Sequence, residues 1–212
     1  MLGPSPSFAD LGLRPVVIHA LRKMGVESPF PIQAATITDA IAGRDVLGRA
    51  PTGSGKTLAF GLPLLHRLSG SASRPQHPRG LILVPTRELA LQIDSALEEP
   101  ALASGLRISS LVGGVPLKRQ IDRLGRGVDV VVATPGRLED LVGAGHLSLA
   151  QITTTVVDEA DRMSDLGFLP QVTALLKRIP AGGQTMLFSA TLDGDVDELI
   201  RRHLDNPVLH SA

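Results

Sequence analysis

Six short apolar runs occur along the chain, and they predict the strands of a buried sheet. The runs are rich in Val, Ile and Leu, lack alternation with polar residues, and are flanked by Gly, Pro or polar residues. Such strands are typical of parallel sheets that are covered on both faces. The predicted strands are 45–49, 80–84, 108–112, 129–133, 154–157 and 185–188.

Stretches in which apolar residues recur at helical spacing lie between these runs. Strands that alternate with helices predict right-handed βαβ crossovers. We therefore expect an α/β fold with a doubly wound, mainly parallel sheet and helices on both faces. The predicted helices are 31–41, 56–68, 88–97, 117–124, 172–177 and 196–204.

The segment 69–79 is rich in Ser, Pro and Arg and has almost nothing apolar to bury, so we expect a flexible surface loop. Because this loop is short and lies in the middle of the alternating pattern, it does not divide the chain. Residues 1–212 are expected to form a single domain, with an N-terminal extension over 1–24.

Composition adds several exclusions. The 212 residues carry 21 basic and 21 acidic side chains, so net charge gives no pointer to nucleic acid, although a local basic groove remains compatible with it. The absence of Cys excludes disulfides, thiol nucleophiles and Cys-ligated zinc, and the six His residues lack ligand spacing, so we expect no zinc. Neither a signal peptide nor a membrane-spanning run is evident, which predicts a cytoplasmic protein without a membrane partner.

The segment 50–57, Ala-Pro-Thr-Gly-Ser-Gly-Lys-Thr, follows a predicted strand and opens a predicted helix. Its glycines allow the backbone N–H groups to curl around phosphates, and the helix N-terminus adds partial positive charge. Lys56 is expected to reach the β- and γ-phosphates, and Thr57 to offer its hydroxyl to Mg²⁺. The strict sequence pattern of such phosphate-binding loops begins with Gly, where this chain has Ala50. We expect ATP and Mg²⁺ to bind here, with nucleotide contacts from Thr52, Gly53, Ser54, Gly55, Lys56 and Thr57.

An acidic cluster follows the predicted strand 154–157. In a doubly wound sheet, ligands bind at the carboxyl ends of the strands, which places this cluster beside segment 50–57. Asp158 is expected to hold Mg²⁺, largely through water, and Glu159 to polarise the attacking water. Taken alone, the cluster is better interpreted as a solvated strand end or a helix cap, and its proximity to segment 50–57 favours the catalytic interpretation.

These segments, taken in order, resemble the DEAD-box ATP-dependent RNA helicases. Asp158-Glu-Ala-Asp161 spells the family's signature, and the family commonly has Ala at the position of Ala50. The resemblance covers about 8–208 and implies a RecA-like P-loop NTPase fold. Its matching segments are 25–33 (with Phe8 upstream), 50–57, 85–90, 113–114, 134–137, 158–161 and 189–191.

The resemblance implies a role for each matched residue. Catalysis is assigned to Lys56, Asp158 and Glu159, adenine recognition to Gln33 with Phe8 stacking on the base, and coupling to Asp161, Ser189 and Thr191. Contacts with the backbone of single-stranded or duplex RNA are implied for Pro85, Thr86, Arg87, Gly113, Gly114, Thr134, Pro135, Gly136 and Arg137.

The residues alone leave alternatives open. Without the family, Gln33 is interpreted as a solvated residue near a helix start. Arg87 and Arg137 also suit structural ion pairs, and Thr191 also suits a helix cap.

The family's enzymes have two RecA-like domains, with ATP and RNA bound between them. No His-Arg-x-Gly-Arg-x-Gly-Arg stretch is present, so we expect this chain to be the N-terminal domain of a longer helicase. The C-terminal RecA-like domain would then be its partner, and the chain alone should bind nucleotide but hydrolyse it poorly. A nucleotide kinase would leave Gln33 and Arg137 unexplained, and a non-catalytic, nucleotide-responsive module for protein or RNA binding is the other alternative.

Overall fold

The computed structural model describes residues 4–212 and contains one seven-stranded sheet in which every pairing is parallel. The expected α/β fold with a doubly wound sheet is confirmed. The strand order is β3-β4-β2-β5-β6-β1-β7. The strands are β1 (Val46–Arg49), β2 (Gly80–Leu83), β3 (Ile108–Leu111), β4 (Val130–Ala133), β5 (Thr154–Asp158), β6 (Gln184–Ser189) and β7 (Val208–Ser211).

Helices connect the strands and cover both faces of the sheet. Two predicted helices, 31–41 and 56–68, have the bounds that the structure gives them, and the other four differ at their ends. Within residues 4–212 the helices are α1 (Pro15–Lys23), α2 (Pro31–Ile41), α3 (Lys56–Leu68), α4 (Arg87–Ala103), α5 (Leu117–Arg126), α6 (Pro135–Gly143), α7 (Ala160–Asp165), α8 (Leu169–Leu176) and α9 (Gly194–His203).

Alternate residues of each central strand pack into different cores, as the two-residue period of a strand requires. Ile82 of β2 packs against Phe60 of α3 and its neighbours, whereas Leu81 and Leu83 pack on the other side with Leu138 of α6 and its neighbours. Because both faces are covered, the strands form continuous apolar runs, which is why they were visible in the sequence.

The sequence patterns missed β7, α1, α6 and α7. The edge strand β7 is half-buried and includes His210 and Ser211, so it forms no apolar run, and its pairing with β1 defines it. Helix α7 has six residues, too few to show a helical period. Helices α1 and α6 both begin with Pro, which suits the first position of a helix although it also marks loops.

The described part of the N-terminal extension packs onto the body of the domain. Phe8, Leu11 and Leu21 are buried in one apolar cluster with Ile37 of α2 and Leu62 of α3. The segment 69–79 is a surface connection, as expected. The Arg79 guanidinium donates hydrogen bonds to Ser71, Ser73 and Asp129, so part of this segment is tied down, and its flexibility stays a prediction.

Because all strands are parallel, their ends form two distinct edges. The carboxyl edge holds the loops that follow the strands, and the amino edge holds the residues that precede them, such as Asp45 and Asp129. No helix within residues 4–212 is both long enough and apolar enough to span a membrane.

Candidate functional site

The loop between β1 and α3 lies at the carboxyl edge, and Gly55 fixes its shape. Gly55 is the N-cap of α3 and has φ 85°, in the left-handed region that favours glycine. A Cβ at this position would clash with the Phe30 ring and the Gln33 amide. The loop also closes on itself, because the Ser54 hydroxyl donates to the carbonyl of Pro51 at 2.7 Å. Gly55 is therefore required for both its backbone angle and its lack of a side chain.

Lys56 lies at the centre of a buried charge cluster below this loop. Its ammonium is 2.9 Å from Asp158 Oδ1 and 3.5 Å from Glu159 Oε1. All three residues are buried, with 7%, 2% and 7% of their surfaces exposed. The structure thus brings together the three residues predicted to be catalytic, although their chemistry stays a prediction.

The environment of Asp158 disfavours its negative charge. Burial raises the pKa of this carboxyl to about 6, against the opposing influence of the Lys56 ammonium, and the neighbouring Glu159 adds to the rise. A buried carboxylate with such a pKa is stabilised by added positive charge. The site is therefore suited to a cation in addition to Lys56.

The oxygen donors of the cluster fit Mg²⁺. Within residues 4–212, the polar partners of Asp158 are Lys56 and the Glu159 N–H, and both meet Oδ1, which leaves Oδ2 for a cation or its water. Thr57 opens α3 beside Lys56 and offers a hydroxyl. Mg²⁺ prefers oxygen ligands and usually takes one or two from protein, with phosphates and water completing its shell. No group of three or more His, Asp or Glu side chains among the described residues is arranged to hold a metal by itself.

Glu159 is held at the junction of β5 and α7 in a left-handed conformation, with φ 53°. Such a conformation is uncommon for a non-glycine residue and costs about 1 kcal/mol or more. The Thr52 hydroxyl donates to Glu159 Oε1 at 2.8 Å, and the Arg162 guanidinium lies 3.8 Å from Oε2. Glu159 Oε2 is buried and has no hydrogen-bond donor among the described residues. A strained, incompletely satisfied carboxylate of this kind is typical of a functional site.

Ser189 at the end of β6 joins the loop to the acidic segment. Its carbonyl accepts a hydrogen bond from the Ala50 N–H at 3.1 Å, and its hydroxyl accepts one from the Asp161 N–H at 3.1 Å. The strand order explains this contact, because β6 lies between β1 and β5. Asp161, a predicted coupling residue, thus meets Ser189 through its backbone. The third predicted coupling residue, Thr191, is exposed, and the N-cap of α9 is Asp193, so Thr191 does not cap that helix.

The two residues predicted to recognise adenine are both engaged within the protein. Gln33 accepts a hydrogen bond from the Phe30 N–H at 2.9 Å and donates one to the Gly55 carbonyl at 2.9 Å, so it ties α2 to the phosphate loop. Phe8 is 2% exposed within its apolar cluster. By contrast, Phe30 is 55% exposed and lies against Gly55. Sequence reasoning did not single out Phe30, although an aromatic residue directly before a helix-opening Pro was a usable signal.

The residues predicted to contact RNA begin the helices that follow β2 and β4. Pro85 is buried and directly precedes Thr86. Thr86 is the N-cap of α4, and its hydroxyl accepts a hydrogen bond from the Leu89 N–H at 3.3 Å. The exposed Arg87 extends over Gly114, where an added Cβ would clash with its guanidinium. Gly114 has φ 78°, which also favours glycine. The structure therefore brings the predicted Thr86–Arg87 and Gly113–Gly114 segments together.

Arg137 reaches the same loop from α6. Its Nη1 donates to Gln120 Oε1 at 2.9 Å and to the Val115 carbonyl at 3.4 Å, and Gln120 Nε2 donates to the Val112 carbonyl at 2.9 Å. Arg137 thus forms hydrogen bonds within the protein rather than an ion pair. Thr134, Pro135 and Gly136 form the start of α6, with Pro135 buried and Gly136 exposed.

A cavity of about 540 Å³ lies at the amino edge, between residues such as Arg44, Lys177 and His203. A smaller cavity of about 310 Å³ lies beside Thr52, Lys56 and Glu159. Volume alone would favour the amino edge. The buried charges, the left-handed backbone and the helix N-termini favour the carboxyl edge, and we place the candidate site there.

Comparison with known proteins identifies the family. The family model described as DEAD/DEAH box helicase matches residues 30–199. The chain is 42% identical over 209 residues to DEAD-box ATP-dependent RNA helicase 9, mitochondrial, from Arabidopsis thaliana, covering 97% of this chain and 34% of the relative. It is 44% identical over 202 residues to ATP-dependent RNA helicase DeaD from Escherichia coli (strain K12), covering 95% and 32%. The chain thus spans about a third of the length of the curated relatives it matches.

A solved structure supports the same grouping. The crystal structure of a hypothetical ATP-dependent RNA helicase from Sulfolobus tokodaii superimposes with a TM-score of 0.86 at 32% identity. The match covers 94% of this chain and 57% of that chain. This agreement confirms the RecA-like α/β fold expected from the resemblance.

Proposed function

The chain belongs to the DEAD/DEAH box helicase family, and on that premise we propose that it is the ATP- and RNA-binding domain of an ATP-dependent RNA helicase. The observation that carries the proposal is the buried cluster of Lys56, Asp158 and Glu159 below the phosphate loop. The ammonium of a lysine that neutralises a buried carboxylate can pair with a phosphate instead, and only a small movement of its side chain is needed.

In the proposed mechanism, the Lys56 ammonium leaves its ion pair with Asp158 and pairs with the γ-phosphate. Mg²⁺, held by Thr57 and Asp158 largely through water, would supply positive charge to the phosphates and to the carboxylate that Lys56 leaves. The water oxygen would attack the γ-phosphorus while the bond from that phosphorus to the bridging oxygen breaks and ADP leaves. Glu159 would orient this water and accept its proton, which suits a carboxylate whose Oε2 has no hydrogen-bond donor among the described residues.

Ser189 supports the proposed coupling of the nucleotide to the rest of the domain. Because it contacts both Ala50 and the Asp161 N–H, a shift of the phosphate loop is transmitted to the acidic segment. On the other side of the carboxyl edge, Arg87 and Arg137 both meet the loop between β3 and α5. We assign the RNA backbone to this surface, where guanidinium groups and helix N-termini suit phosphates.

For adenine, the exposed Phe30 beside Gln33 offers a stacking surface that the buried Phe8 lacks. Stacking by Phe8 requires the N-terminal cluster to open. We therefore propose that Phe30 contributes to nucleotide affinity, and that Gln33 recognises the base by exchanging one of its two internal hydrogen bonds.

Efficient hydrolysis in this proposal needs a second RecA-like domain that supplies arginine side chains to the phosphates. Support comes from the relatives, of which the chain covers about a third, and from the solved helicase chain, of which it covers 57%. A cytoplasmic location stays a prediction, because one relative is mitochondrial by name.

The test measures Mg-ATP and Mg-ADP affinity by calorimetry, and RNA-stimulated phosphate release by the chain alone. We expect Mg²⁺-dependent nucleotide binding and little hydrolysis, whereas robust unwinding by the chain alone would contradict the need for a second domain. The Glu159→Gln variant of a protein with both domains should lose RNA-stimulated hydrolysis while it still binds ATP. If the wild-type two-domain protein binds ATP and RNA without hydrolysis, the non-catalytic module is the better description.

A further inference from the structure

Helix α5 carries an uncompensated row of positive charge that the family motifs do not include. Residues 107–126 contain five basic and one acidic side chain, in a chain whose net charge is zero. Arg119, Arg123 and Arg126 follow each other at i, i+4 and i+7, the spacing of one helix face, and all three are exposed. We call these three residues, together with the exposed Lys118, the basic stripe.

Helix α9 differs from α5, because its exposed arginines are paired with acids on the same helix. In α9, Arg201 pairs with Asp197 at 3.0 Å and Arg202 pairs with Glu198 at 2.7 Å. Among residues 4–212, no ion pair involves any member of the basic stripe. Burial raises the pKa of Asp94, and the charge of Arg123 is among the influences that oppose this rise. Asp122 is the one acidic residue on α5 itself, against four basic ones. Like charges left unpaired on one face repel each other, and a polyanion relieves that repulsion.

The stripe is held rigidly with respect to the proposed RNA surface. Gln120, which is fully buried, fixes the first turns of α5 by donating to the Val112 carbonyl and accepting from Arg137. At the other end, the Arg107 guanidinium donates to the Arg126 carbonyl at 3.1 Å. The outward face of α5 is therefore fixed, and its side chains need little ordering on binding.

The stripe is also continuous with that surface. Helix α5 starts three residues after Gly114, at the carboxyl edge, and runs towards the amino edge beside β3. Its ten residues span about 15 Å, which extends the positive surface well beyond Arg87 and Arg137. A short RNA strand that fills the proposed site cannot also follow the helix, whereas a longer strand can.

We propose that the basic stripe of α5 binds the phosphate backbone of RNA outside the segment held by Arg87 and Arg137. This inference rests on the proposed function and adds to it a second, length-dependent contact region. The chemistry is electrostatic and independent of base sequence, because Lys and Arg side chains on a helix face read phosphates and not base edges.

The test compares two single-stranded RNAs of about six and about twenty nucleotides, which bracket common site sizes. Fluorescence anisotropy gives their dissociation constants for the wild-type chain and for the triple variant Arg119→Gln, Arg123→Gln, Arg126→Gln across a salt series. We expect the triple variant to bind the long strand about 10- to 100-fold more weakly at low salt and the short strand as the wild type does. The salt slope for the long strand should fall by about 0.7 for each phosphate that the variant no longer neutralises.

The matched control is the double variant Arg201→Gln, Arg202→Gln on α9, which should bind both strands normally. Equal weakening for both strands, or no weakening for either, would overturn the inference. The double variant Arg87→Gln, Arg137→Gln tests the proposed function separately, because it should weaken both strands. Normal binding by that variant would refute the proposed RNA surface and the inference with it, whereas failure of the triple variant alone would refute only the role of the basic stripe.

Discussion

At the amino edge of the sheet, Asp45 and Asp129 use both carboxylate oxygens to accept hydrogen bonds from protein N–H groups. At the carboxyl edge, Asp158 and Glu159 share one ammonium group, and Glu159 Oε2 has no hydrogen-bond donor among the described residues. All four residues are carboxylates, three Asp and one Glu, and all four are buried. The difference in their partners indicates that the amino edge contributes stability and that the carboxyl edge is arranged to bind a ligand.

The pKa of one carboxyl at each edge shifts, and the two shifts, of Asp129 and Asp158, have opposite directions. Burial alone would raise the pKa of Asp129, but the N–H groups of Arg107 and Ser73 and the Arg79 guanidinium together hold it below its usual value. Burial raises the pKa of Asp158 to about 6 in spite of Lys56. A carboxylate that is fully paired by its own protein stabilises the fold, whereas one that remains poorly paired is stabilised only when further positive charge arrives.

Removing a lysine from each edge tests this difference most directly. Lys56→Ala should weaken Mg-ATP binding about 100-fold, roughly 3 kcal/mol, because the phosphates then lack a charge-assisted hydrogen-bond donor. Lys177→Ala, at the large cavity of the amino edge, should leave the affinity unchanged. Calorimetric titration measures both. If Lys177→Ala is the more damaging change, the nucleotide binds at the amino edge and the site is misplaced.

Replacing the amino-edge carboxylate by its amide should destabilise the fold. Asp129→Asn should lower the free energy of unfolding by about 2 kcal/mol, because an amide cannot accept the same set of charged and neutral donors. Urea denaturation measures the loss, and nucleotide affinity should not change. The exposed Asp122→Asn on α5 is the control, with an expected change within about 0.5 kcal/mol. An effect of Asp129→Asn no larger than that of the control would contradict the structural role.

The stabilisation by Asp129 should also depend on pH. Its pKa is lowered in the folded state, so its contribution is complete above the pKa of the unfolded chain, about 4, and is lost as the pH falls through the folded pKa. The difference in unfolding free energy between the wild type and Asp129→Asn should therefore be constant near neutral pH and shrink in acid. A difference that grows as the pH falls would show that the sign is wrong.

Phe30, which we propose to stack on adenine, and the buried Phe8 extend the comparison to apolar residues. Phe30→Ala should weaken ADP binding by about 1 kcal/mol because the base no longer stacks on a ring, without affecting stability to a similar extent. Phe8→Ala should mainly destabilise the protein, by about 3 kcal/mol, because it leaves a cavity in the N-terminal cluster. Inorganic triphosphate, which has no base, should bind the Phe30→Ala variant normally. If it binds more weakly as well, Phe30 shapes the loop and does not stack on the base.

The smallest expected effect is on stability at the carboxyl edge. Glu159→Gln should change the free energy of unfolding by no more than about 0.5 kcal/mol, because the attraction to Lys56 that is lost is offset by removal of the repulsion from Asp158, and the amide oxygen still accepts from Thr52. This change is chemically the same as Asp129→Asn at the other edge. A large loss of stability would place Glu159 among the structural carboxylates.

Elements with strong periodicity and site segments that are contiguous could be predicted from the amino-acid sequence. Parallel strands covered on both faces form apolar runs, so six of the seven strands were visible. Lys56, Asp158 and Glu159 could be named because the phosphate loop and the acidic segment occur together in one chain. Edge strand β7 could not be predicted, because its half-buried residues form no apolar run. Only their pairing with β1 identifies them as a strand. Helix α7 is too short for a periodic signal.

The partners of the polar residues, by contrast, are set by the tertiary structure. Ser189 contacts both Ala50 and Asp161 because β6 lies between β1 and β5, an order that no local pattern encodes. The same holds for the burial of Phe8, the exposure of Phe30 and the hydrogen bonds of Arg137, which depend on packing between distant segments. Local sequence sets secondary structure and loop chemistry, whereas partners separated by many residues follow from the order of the strands and the packing of the helices on them.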